Sequence, residues 1–146
     1  MAITAHAYGL FLESLVEGRI NVADQMFAML VTNSYVFNQN THKFKSVVNG
    51  EVTGSGYTAG GLQVTGITPS YSGSTKTLTI PGGSVNWPAV TVSGVVGAVL
   101  YMAPAGLGDA LKPLVGYVNL GQSVTRSAQQ LLLTFPPALI TLGPVG

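Results

Sequence analysis

No charged side chain occurs between Lys76 and Asp109. A stretch that long without charge either crosses a membrane or is built into an interior, and its residues decide which. A membrane-spanning helix needs about 20 predominantly apolar residues in succession. Here the most apolar part, residues 90–107, is interrupted by Gly94, Gly97, Pro104 and Gly106, and its valines favour strand over helix. The stretch is expected to form buried strand and turn, and a transmembrane helix is not expected.

The same punctuation runs through everything beyond Gly60. Segments 62–68, 77–80, 84–87, 95–102, 114–120 and 131–135 are apolar or β-branched and are set apart by Pro, Gly, Ser and Asn. Before them, Tyr8, Phe11, Leu12, Leu15 and Val16 repeat at the spacing of one apolar helical stripe, which Gly18 ends. Residues 26–32 are a continuous apolar run bounded by Asn33-Ser34, the pattern of a buried strand. Residues 38–41 read as a polar loop and 42–48 as a brief helical turn. The fold expected is mainly β, an antiparallel β-sandwich or jelly-roll-like domain spanning residues 1–146 with one short N-terminal helix. A period of two places Val95, Val99 and Tyr101 on one face of a buried strand.

Charge bounds the function. Only 8% of residues are charged, against roughly 25% in an ordinary soluble domain, and the net charge is +1. Such a surface is either covered in Ser, Thr, Gly and Asn or meets other subunits. The four lysines and two arginines are scattered, so the electrostatic footprint of nucleic-acid or anionic-membrane binding is missing. With no cysteine, neither disulfides nor a thiolate metal site can form. The opening residues lack a basic stretch before the apolar one, so no secretory signal is expected and synthesis in a cytoplasm is.

One motif suggests chemistry. Gly54-Ser55-Gly56-Tyr57-Thr58-Ala59 fits the glycine pattern of dinucleotide-binding loops. That loop needs a strand before it, a helix after it and an acidic residue about 20 positions on. Gly60-Gly61 stands where the helix should begin, and no Asp or Glu falls between Glu51 and Asp109. Gly56, Gly60 and Gly61 are therefore expected to serve backbone geometry at a strand entrance. The two histidines, His6 and His42, and the five carboxylates show no spacing suited to acid-base or metal work. No catalytic residue, metal or cofactor is expected, and Trp87 is read as a packing anchor rather than a sugar-stacking platform.

The C-terminal segment is unusual for a chain end because it is apolar and contains Pro136-Pro137. Residues 136–146 are read as an assembly tail, and Leu131, Leu133, Phe135, Leu139, Ile140 and Leu142 as candidate subunit-contact residues. Leu131, Leu133 and Phe135 alternate on one face, yet Leu132 opposite them is apolar too.

Three stretches carry a resemblance: Ala7-Tyr8-Gly9, residues 32–61 with Tyr35, Asn38-Gln39, His42 and the Gly-Tyr-Thr-Ala-Gly-Gly segment at 56–61, and residues 112–121. In that order they resemble a group of small virion proteins of tailed bacteriophages, and the likeness covers nearly the whole chain except its last residues. This chain departs in Phe37 and Asn40, where those proteins often have Pro and Asp, and in having fewer acids in its second half. The resemblance implies a non-enzymatic structural component of the virion: a capsid decoration protein, or alternatively a minor tail or fibre-associated adaptor. Its implied partners are the major capsid protein and sister copies in a homotrimer, with no nucleic acid and no membrane.

Overall fold

The structure, a computed structural model, describes residues 4–20, 24–65, 68–137 and 139–142. The chain is mainly β, with two antiparallel sheets and one short helix, as its sequence indicates. In chain order the elements are β1 (Thr4–Ala7), α1 (Leu10–Val16), β2 (Gln25–Val31), β3 (Leu62–Gln63), β4 (Ser70–Ser72), β5 (Thr77–Ile80), β6 (Ser84–Ala103), β7 (Leu114–Thr134) and β8 (Ile140–Leu142). Five strands form one sheet, β1-β7-β6-β2-β3, and three form another, β4-β5-β8. The arrangement is β-sandwich-like.

β6 and β7 are 20 and 21 residues long, against about 5–6 for an ordinary strand. They pair from the turn at 104–113 to Ser84 opposite Thr134. Segments 84–87 and 95–102 thus belong to one strand, and 114–120 and 131–134 to another. Pro88, Gly94 and Gly121, which read as turns, sit at register shifts within continuous strands. Gly94 and Gly121 have φ of 70° and 75°, the left-handed geometry that lets a bulge absorb extra residues. Of segment 62–68, Leu62–Gln63 is strand and Thr65 bridges Ser84, while residues 66 and 67 lie outside the described residues.

Each shift re-aims the side chains. Val99 and Tyr101 pack together on the outer face of the large sheet, whereas Val95 is buried on its inner face. The register slips between Val95 and Gly97, which corrects the expectation that all three share a face.

The main core lies between the inner face of the large sheet, α1 and the small sheet, with Trp87, Leu100 and Leu131 fully buried in it. A second cluster lies on the outer face around Met29, Val99 and Tyr117, where the loop after β2 lays Tyr35 and Phe37 over the sheet. β2 is buried on both faces, which is why its sequence is apolar without alternation. At the N-terminus the stripe divides, because Tyr8 packs in the outer cluster and Phe11 in the inner one. The chain crosses the sheet edge between them, leaving Leu12 and Val16 of α1 exposed.

Candidate functional site

The glycine loop fills a gap along the edge of β2, between the bridge joining Val31 to Glu51 and the short strand β3. The Val52 amide donates to the Leu30 carbonyl at 3.0 Å. The Leu30 amide in turn donates to the Tyr57 hydroxyl at 3.1 Å, and that hydroxyl donates to Glu51 Oε1 at 2.8 Å. The same carboxylate oxygen accepts the Gly60 amide at 2.6 Å, and the Tyr101 hydroxyl donates to the Gly60 carbonyl at 2.6 Å. Burial, then the hydrogen bond to Glu51, pushes the Tyr57 hydroxyl well above the usual tyrosine range. Burial, then the charges of Glu51 and Asp109, pushes Tyr101 up to about 12. Both phenols therefore stay protonated and keep donating.

The glycines let this loop lie against its neighbours. A Cβ on Gly54 would stand 1.7 Å from the Thr91 carbonyl oxygen, and one on Gly61 would stand 1.8 Å from that of Ala28. Gly56, Gly60 and Gly61 all have positive φ, at 78°, 91° and 83°. An anion already occupies the loop, since the amide that a phosphate would seek is held by the Glu51 carboxylate. The loop's geometry is that of a structural clasp, in agreement with the reading of its glycines as backbone devices.

His6 lies on β1 opposite Tyr117 and stays exposed beside Phe37. His42 is half-buried, with Nδ1 2.9 Å from the Tyr35 hydroxyl, and Tyr35 is 2.6 Å from the Tyr8 hydroxyl. Burial pushes the His42 imidazole below its usual range and both phenols above theirs. This chain ties the loop after β2 to the start of the fold. Among the described residues no three His, Asp or Glu side chains converge as metal ligands do, and no helix is long and apolar enough to cross a membrane. Trp87 is 1% exposed, so its ring cannot serve as a stacking platform. An apolar hollow of about 40 Å³ between α1 and the small sheet, lined by Phe11, Met26, Ile80 and Met102, has room for a group no larger than a water or two.

The candidate subunit-contact residues belong mostly to the chain's own core. Leu131, Leu133 and Phe135 are 1%, 0% and 3% exposed, Leu139 and Ile140 are buried, and Leu142 packs against the same cluster. β8 pairs with β5, so the segment expected to reach a neighbour completes the small sheet instead. Residues 138 and 143–146 of the expected tail lie outside the described residues. Leu132 alone of residues 131–135 turns a large apolar side chain outward, at 53% exposed.

Charge is gathered at one end. Lys43 binds Glu13 and Glu17, Arg19 binds Glu17, and Asp109 bridges Lys45 and Lys112, all near the turn between β6 and β7. Lys76 is the one charged residue from 68 to 103, and Arg126 the one from 114 to 142. Residues 68–103 and 114–142, which form most of both sheets, are otherwise neutral and include many Ser, Thr and Gln.

Compared with known proteins, the chain matches no family model, no curated protein and no solved structure.

Sequence reasoning missed two things: the role of Glu51 and the Tyr8–Tyr35–His42 chain. The first left a signal, since Glu51 is the single acid near a glycine loop whose Tyr57 had no other purpose. The second left none in the spacing, because it joins Tyr8, before α1, to Tyr35 and His42 in the loop after β2.

Proposed function

We propose that the protein is a non-enzymatic structural protein of a bacteriophage virion, a decoration protein that binds the outer surface of the head and stabilises it. The observation that carries this reading is the neutral surface of the two sheets, in which Lys76 and Arg126 are the only charges over residues 68–103 and 114–142. Depletion of charge is the compositional mark of surfaces that partners cover. The resemblance to small virion proteins of tailed phages supplies the setting. The partners are the major capsid protein and sister copies of the chain, gathered in threes, and the protein reaches the virion from the host cytoplasm.

Particle stoichiometry tests the reading. A decoration protein is present in numbers comparable with the capsid protein, is removed without loss of the head shell, and rebinds to stripped heads. A few copies per particle, found with purified tails, would make it a tail adaptor. Absence from purified particles would refute a virion role.

A further inference from the structure

The large sheet has an open edge. β1 pairs with β7 only from Gly116 to Asn119, and among the described residues nothing pairs with the outer side of β7 beyond that point. The Phe135 amide donates to the Gly83 carbonyl, so by the alternation of an antiparallel ladder the amides of Leu133 and Leu131 also face β6. Those of Gln130, Leu132 and Thr134 face outward. Arg126 confirms the direction, since its Nε reaches the outward carbonyl of Gln130 at 3.2 Å. That contact engages the Gln130 carbonyl and leaves the Gln130 amide facing outward. Among the described residues, nothing pairs with the outward backbone groups of Leu132 and Thr134, beside the exposed Leu132 side chain.

We propose that this edge pairs with the same edge of a second copy of the chain, antiparallel about a two-fold axis through Leu132. Unpaired strand groups are matched best by another strand. An axis at Leu132 sets Leu132 against its counterpart and Gln130 against Thr134, so every facing pair is neutral. The two Arg126 side chains then lie twelve residues apart along the paired strands, roughly 40 Å, well beyond the reach of repulsion at physiological salt. A foreign strand has no such built-in match. An edge contact of this kind closes with two copies, is separate from a threefold gathering, and does not depend on the particle the protein serves.

The chain has no cysteine, so single thiols report the contact cleanly. Leu132→Cys, treated with a short bismaleimide, should give covalent dimers at least tenfold faster than Gln122→Cys, which lies on the same strand but on the order of 60 Å from its counterpart in this pairing. Leu132→Lys, at an exposed position that leaves the core untouched, should weaken self-association in sedimentation equilibrium at least tenfold with an unchanged circular dichroism spectrum. Equal cross-linking of the two cysteine variants overturns the proposal. So does a chain that stays monomeric at sub-millimolar concentration, or an oligomer that Leu132→Lys leaves intact. A monomer whose binding to heads is abolished by Leu132→Lys would assign the edge to a capsid strand instead and equally refute self-pairing.

Discussion

The Tyr57 hydroxyl and the Glu51 carboxylate meet at 2.8 Å, and through that contact the glycine loop is fastened to β2. Glu51→Ala leaves the Tyr57 hydroxyl and the Gly60 amide without their acceptor. Each unsatisfied partly buried group costs about 1–3 kcal/mol, so the melting temperature should fall by several degrees. Glu51→Gln keeps an acceptor oxygen and should lose no more than half as much. Thermal denaturation of both variants checks this, and a Glu51→Ala protein as stable as the parent would show that backbone contacts alone hold the loop.

Gly54→Ala and Gly61→Ala should each disrupt folding, since the added methyl would stand 1.7 Å or 1.8 Å from a carbonyl oxygen of β6 or β2. Gly73→Ala is the control: no heavy atom lies within 4 Å of its added Cβ, and the change should stay within about 0.5 kcal/mol of neutral. Soluble expression and urea denaturation distinguish them. No nucleotide should raise the melting temperature of the parent chain, because Glu51 holds the amide a phosphate would need. A rise of several degrees at millimolar nucleotide would reopen the cofactor reading.

The strands were legible because their residues are, and their lengths were not. Pro88, Gly94 and Gly121 are ordinary turn residues, and nothing local to them says that a bulge rather than a reversal follows. That choice depends on a partner strand some forty positions away, as with Trp87 opposite Leu131. The same bulges decide which face a side chain meets, so the period of two holds from Val99 to Tyr101 and breaks between Val95 and Gly97. The helix stripe failed likewise, since Tyr8 and Phe11 keep helical spacing while lying on opposite sides of the sheet. Of the candidate contact residues, apolarity was legible and its covering was not. A core strand and a subunit interface ask for the same side chains.

Alkaline pH should unfold the protein cooperatively. Tyr8, Tyr35, Tyr57, Tyr101 and Tyr117 all have hydroxyls pushed above the free value of 10.0, chiefly by burial. A raised folded pKa means that the native state holds these protons more tightly than the unfolded chain does. Their contribution is complete below pH 10 and is lost as pH rises from there towards the folded values. Tyrosinate absorbance should therefore jump together with loss of the circular dichroism signal above pH 10. Smooth ionisation of all the tyrosines near pH 10 in a chain that keeps its fold would contradict the burial of this cluster.

Removing residues 138–146 tests whether the chain end belongs to the core or to an interface. The deletion takes away β8, which pairs Ile140 with Ile80 and Leu142 with Leu78, and with it the buried side chains of Leu139 and Ile140. Burying two aliphatic side chains is worth about 1.5–3 kcal/mol each. Set against a typical total stability of about 5–15 kcal/mol, their loss should leave a marginal fold with a melting temperature lowered by ten degrees or more. The small sheet would be reduced to β4 and β5. Binding to stripped heads must then be read at a temperature where circular dichroism shows the truncated chain folded, so that lost stability is not mistaken for a lost contact. An unchanged melting temperature together with lost binding would return residues 138–146 to the role of an assembly tail. A lowered melting temperature with binding retained in the cold would place the contact elsewhere on the neutral surface, with the exposed edge at Leu132 the first position to test.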